Sequence, residues 1–254
     1  MQSEDILSRQ PPKADSRLHY GDDPNHFVDV RIPSGKGPHP VLFFIHGGFW
    51  RSKYNLGYAG HLCHALKDAG IASWNIEYRR TGNPGGGWPG TFEDVRRAFR
   101  ALKEHAQRER ATYNLTRLWV AGHSAGGQLA FCLAAVEKSV TRVISLAGVL
   151  DLRRGWNLHL SDDAVAEFLG GSPSDVPDHY REASPAKQHI LATQKLIHGT
   201  ADDSVPYEIS QRYAQRKNQA GENIELVTLE KVGHFEIVDP GSVVWPRVEK
   251  EFLL

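Results

Sequence analysis

The chain has 254 residues, with 30 Lys and Arg against 30 Asp and Glu, so no net field draws nucleic acid or an anionic membrane toward it. A chain of this length can bury about three quarters of its unfolded surface in one domain, which is the expected organisation for residues 1–254. Its two cysteines, Cys63 and Cys132, are too few for a disulfide framework and read as small buried thiols on helices.

In chain order, residues 1–26 form an N-terminal extension. Its first twenty residues are polar, contain Pro11 and Pro12, and lack the basic-then-apolar run of a signal peptide. No later stretch is apolar for long enough to span a bilayer, so a cytoplasmic protein is expected. Strands are predicted at 27–32, 41–45, 72–78, 118–121, 142–146, 195–198 and 225–229. The continuous apolar run Val41-Leu42-Phe43-Phe44-Ile45 suits a strand buried on both faces of a parallel sheet. Helices are predicted between them at 59–68, 126–137, 163–169, 207–220 and 243–252. A further helix carries Phe92, Val95, Phe99 and Leu102 at three- and four-residue spacing. The alternating order implies an α/β fold, a mostly parallel central sheet with helices on both faces, whose ligands bind beyond the carboxyl ends of the strands.

Chemistry concentrates at those strand ends. Gly122-His123-Ser124-Ala125-Gly126 lies between an apolar strand and a Gly/Ala/Leu-rich helix, the setting in which G-x-S-x-G forms a nucleophile elbow. Such a turn strains the serine backbone, lifts its hydroxyl above the sheet and aims the Ala125 N–H at a developing oxyanion. After the strand ending at Ile45, His46-Gly47-Gly48-Phe49-Trp50 supplies Gly48 and Phe49 as further N–H donors, with His46 as an orienting residue.

A serine hydroxyl needs a base to take its proton and an acid to orient that base. His234, in a small-residue loop after the last strand, is the expected base. The acid falls in the turn after 195–198, where Asp202 and Asp203 compete. His61, Cys63 and His64 lie within one helical turn but have no fourth ligand partner in the sequence, so no metal is expected. Gly85-Gly86-Gly87 before Trp88 reads as a loop bordering the site rather than a phosphate cradle.

From about residue 27 onward these motifs resemble the esterase and lipase branch of the α/β-hydrolases, especially hormone-sensitive-lipase-like carboxylesterases and kynurenine formamidases. The marks are His46-Gly47-Gly48-Phe49-Trp50, Gly122-His123-Ser124-Ala125-Gly126-Gly127, His198-Gly199-Thr200-Ala201-Asp202 and Gly233-His234. The resemblance implies a triad of Ser124, Asp202 and His234, choosing Asp202 over Asp203, and an α/β-hydrolase fold with a small cap or none. Phe49 stands where the carboxylesterases usually carry a third glycine, and the HGG-aromatic-Trp form is similar to that of the formamidases. The HGT-x-D stretch also occurs in prolyl-oligopeptidase-like peptidases.

The expected reaction is hydrolysis of a small, short-acyl ester through an acyl-enzyme, with no cofactor. Arylformamidase or peptidase activity and a non-catalytic binding role are the alternatives. Trp50, Trp88, His123 and Trp156 are the candidate substrate-contacting residues, and 150–188, with Trp156, Leu158, Phe168 and Leu169, is a candidate short lid. Oligomeric state is left open.

Overall fold

The computed structural model describes residues 5–253. Eight strands form one sheet: β1 Ser16–His19, β2 Phe27–Arg31, β3 His39–Ile45, β4 Ala72–Ile76, β5 Tyr113–His123, β6 Arg142–Leu146, β7 Thr193–Gly199 and β8 Ile224–Leu229. Their order across the sheet is β1-β2-β4-β3-β5-β6-β7-β8. The β1/β2 and β2/β4 pairs are antiparallel, and every pair from β4/β3 to β7/β8 is parallel.

The apolar run of β3 explains how the layers are held. Val41, Phe43 and Ile45 join one core cluster while Leu42 and Phe44 join another, because successive strand side chains point to opposite faces. The first cluster is covered by α3 Gly90–Arg108 and α4 Ala125–Val136, the second by α2 Ala59–Asp68 and α9 Trp245–Leu253. Phe92, Val95, Phe99 and Leu102 all face the first cluster, and Phe99 meets Phe43 edge-to-face at 5.3 Å between ring centroids. Burying each such side chain contributes about 1.5–3 kcal/mol.

Two segments are packed into the fold. From residue 5 onward the N-terminal extension is built in: α1 Asp5–Ser8 seats Ile6 in the second cluster, and β1 pairs with β2. The sequence Ser16-Arg17-Leu18-His19 carries little strand signal because β1 is a mostly exposed edge. The candidate lid 150–188 contains α5 Leu152–Asn157, α6 Ala164–Leu169 and α7 Pro177–Glu182, but Leu152, Phe168 and Leu169 are buried in the first cluster. It is a helical crossover packed on the core, with α8 Glu208–Gln219 following β7. No helix among the described residues is long and apolar enough to cross a membrane.

Candidate active site

The turn from β5 to α4 puts Ser124 at φ 55°, ψ −122°, a conformation that L-residues rarely adopt and that costs on the order of 1–3 kcal/mol. Crowding enforces it. A Cβ on Gly122 would sit 2.1 Å from the Gly126 carbonyl oxygen, and one on Gly126 would sit 2.1 Å from that of Ile45. Strand, helix and the end of β3 therefore meet only through glycines. Ser124 donates its N–H to Leu146 O at 2.8 Å and lies at the positive end of α4.

The loop after β3 is also contorted: Gly48, Phe49 and Trp50 all have positive φ, at 108°, 47° and 57°. Tyr58 takes the Gly47 N–H at 2.7 Å, and Tyr54 packs so closely that a Cβ on Gly48 would lie 2.4 Å from its own. His46 is buried, with Nε2 2.9 Å from Glu77 Oε1 and its ring stacked on Tyr78. Burial pushes the Glu77 carboxyl up, but His46 and Arg80 outweigh it and hold the group below its ordinary range. Among the described residues, none accepts the N–H of Gly48, Phe49 or Ala125. Gly48 and Phe49 line the same cavity as Ser124, and Ala125 follows it at the start of α4.

Asp202 and His234 come together across the ends of β7 and β8. Asp202 Oδ2 accepts from His234 Nδ1 at 2.7 Å and from His198 Nε2 at 3.1 Å, while Oδ1 accepts the N–H of Ser204 and Val205 at 2.9 and 2.8 Å. Burial alone would raise its pKa, but these bonds and the two imidazoles hold the carboxyl well below the usual carboxylate range. Asp203 is exposed and, among the described residues, bonds only to Ser204. With Nδ1–H committed to Asp202, the neutral His234 ring keeps Nε2 as its basic nitrogen.

Ser124 and His234 line one cavity of about 170 Å³, whose walls include Gly48, Phe49, Tyr58 and Phe235. His123 also borders it, but both ring nitrogens are engaged: Nδ1 accepts from Tyr58 Oη at 2.7 Å and Nε2 donates to His234 O at 3.1 Å. Burial, and secondarily the His234 ring, push its pKa well below the ordinary histidine value. Trp50 is corrected from a substrate wall to a core residue. It is fully buried, stacks on Phe168 at 4.5 Å and donates its indole N–H to Gln128 at 2.9 Å. Trp88, stacked on Phe92, and Trp156 also lie outside the cavity.

Tyr54, Tyr58, Ser204, Phe235 and Leu7 were not expected at the cavity. Only Phe235, beside His234, carried a signal that sequence reading could have used. Of the rival metal trio, His61 Nε2 bonds the Arg9 carbonyl, Cys63 is buried in the core and His64 approaches Asp68.

The sheet order, the strained serine elbow and the glycine loop beside it define an α/β-hydrolase fold. Residues 28–216 match the BD-FAE family, and the chain belongs to it. Esterase LipC of Mycobacterium tuberculosis (strain ATCC 25618 / H37Rv) is 29% identical over 252 residues, covering 89% of this chain and 58% of that protein. The probable isoprenylcysteine alpha-carbonyl methylesterase ICME of Oryza sativa subsp. japonica is 27% identical, covering 86% of this chain and 57% of its own length. The chain thus spans a little over half the length of these two relatives. Kynurenine formamidase avaC of Aspergillus versicolor is 29% identical, covering 68% of this chain and 74% of that protein. Among solved structures, a truncated carbohydrate esterase from gut microbiota superposes with a TM-score of 0.80 at 19% identity, covering 96% of this chain and 98% of that one.

Proposed function

We propose that the protein is a serine carboxylic-ester hydrolase acting on small, short-acyl esters through an acyl-enzyme on Ser124. The observation that carries this reading is the Asp202–His234 hydrogen bond beside Ser124: it fixes the tautomer whose Nε2 can accept the serine proton. The alkoxide attacks the ester carbonyl, and the N–H groups of Gly48, Phe49 and Ala125 receive the oxyanion. His234 then protonates the departing alcohol, and water, activated by the same imidazole, releases the acid. Asp202 stays ionised throughout and stabilises the imidazolium. The cavity, at about 170 Å³, is below the roughly 300–1,000 Å³ of pockets for drug-sized ligands, which favours a short acyl group.

A second reading, arylformamidase, rests on the HGG-Phe-Trp loop and on the formamidase relative. Rates on p-nitrophenyl acetate, p-nitrophenyl decanoate, N-formylkynurenine and a prolyl amide separate the possibilities. Turnover of the acetate that is lost in folded Ser124→Ala supports the ester reading; turnover of the formamide alone replaces it with the second.

A further inference from the structure

We infer that Leu7, carried by the N-terminal segment, is a specificity residue that closes the leaving-group side of the Ser124 cavity and limits the size of the alcohol. The inference rests on the ester-hydrolase reading and deepens it.

The segment is held at three points. Ile6 is fully buried in the second core cluster. Arg9 pairs through Nη2 with Asp239 Oδ1 at 2.5 Å, and its carbonyl accepts from His61 Nε2 at 3.2 Å. Within the turn, the Arg9 N–H and the Ser8 hydroxyl both bond Asp5 O at 3.1 Å. Leu7 lies between these anchors, 41% exposed, and forms part of the cavity wall with Phe49, Tyr54 and Phe235. Leu7 belongs to neither core cluster and is set against the cavity instead.

The side of the reaction follows from the chemistry. The imidazole that takes the serine proton must return it to the leaving oxygen, so the departing alcohol lies beside His234. Ser204, His234 and Phe235, from the acid and base loops, line the same cavity as Leu7. Asp239, which holds Arg9, lies five residues beyond His234 on the base loop. The clasp therefore ties the N-terminal segment to the loop that faces the alcohol.

The test uses two substrate series on wild type, Leu7→Ala, Leu7→Trp and Arg9→Ala. Acid release from methyl, butyl and hexyl acetate varies only the alcohol; p-nitrophenyl acetate, butyrate and hexanoate vary only the acyl group. Leu7→Ala is expected to raise the hexyl-to-methyl ratio of kcat/KM by about tenfold, as expected for methylenes gaining room in an apolar pocket, and Leu7→Trp to lower it comparably. Arg9→Ala, which loosens the clasp without touching the cavity, moves the ratio in the direction of Leu7→Ala. The acyl ratio stays within about twofold in every variant. Because Leu7 is partly exposed, its variants are expected to melt close to wild type. An active wild type whose alcohol ratio is unmoved by Leu7 substitution, or whose acyl ratio moves instead, overturns the inference alone. A wild type inert toward every ester overturns the ester reading and this inference with it.

Discussion

Tyr58 Oη lies 2.7 Å from His123 Nδ1 and 2.7 Å from the Gly47 N–H, so one buried hydroxyl joins the glycine loop after β3 to the turn that carries Ser124. The far side of the His123 ring continues the chain to the His234 carbonyl at 3.1 Å. The glycine loop after β3, the serine elbow and the loop that carries His234 are thus linked by three hydrogen bonds.

Tyr58→Phe breaks that link while preserving the ring. The Gly47 N–H loses its acceptor, a buried unsatisfied group costing about 1–3 kcal/mol of stability. Because the lost contacts position the loop rather than bind ground-state substrate, kcat is expected to fall by about tenfold or more with KM nearly unchanged, as for a slight misplacement of an oxyanion donor. Steady-state kinetics on p-nitrophenyl acetate, with a melting curve, check it; a drop in melting temperature at full kcat would mean that the hydroxyl only stabilises the fold.

The His123 ring makes a prediction about pH. Its folded pKa lies well below the ordinary histidine value, so below about pH 6.5 the unfolded chain binds a proton that the folded chain refuses. Stability from this group is complete above that pH and is lost as pH falls toward the folded pKa, by about 1.4 kcal/mol per pH unit. In His123→Gln that contribution is absent. The stability gap between wild type and variant, measured by urea unfolding, is expected to narrow between pH 7 and pH 5; a constant gap would contradict the assignment.

Much of the frame was legible because it repeats simple periodicities. The β3 run and the Phe92-Val95-Phe99-Leu102 face are each a single local pattern, and the structure uses both as such. The elbow was legible because steric necessity leaves glycine at 122 and 126. Tyr58 was not, since a tyrosine before a helix has no motif and gains its role only when β3 and β5 bring Gly47 and His123 alongside it. Trp50 was misplaced for the complementary reason. It adjoins the glycine loop in sequence, but its positive φ turns the indole into the core, against Phe168 more than a hundred residues away.

Asp202 and Asp203 are separated by one peptide bond and by very different surroundings, so their amides give a sharp comparison. Asp202→Asn keeps the shape but offers His234 Nδ1 no charge and allows the wrong tautomer; kcat is expected to fall by about 10⁴-fold. Asp203→Asn touches an exposed carboxylate bonded to Ser204 and is expected to change kcat by less than about twofold. Parallel assays on purified, folded variants decide this, and equal losses would remove Asp202 from its proposed role.

Ser124 itself links strain to stability. Its φ of 55° with ψ of −122° is held by the packing of β3, β5 and α4, and a side chain there costs about 1–3 kcal/mol. Ser124→Ala keeps the Cβ and hence the strain, so it is expected to melt near wild type. Ser124→Gly removes the Cβ and relieves the strain, against about 0.5–1 kcal/mol of added unfolded-chain entropy. The glycine variant is therefore expected to be inactive toward esters and more stable than Ser124→Ala by up to about 2 kcal/mol, read as a higher urea midpoint at unchanged m-value. A glycine variant less stable than the alanine one would show that the backbone at 124 stores no strain.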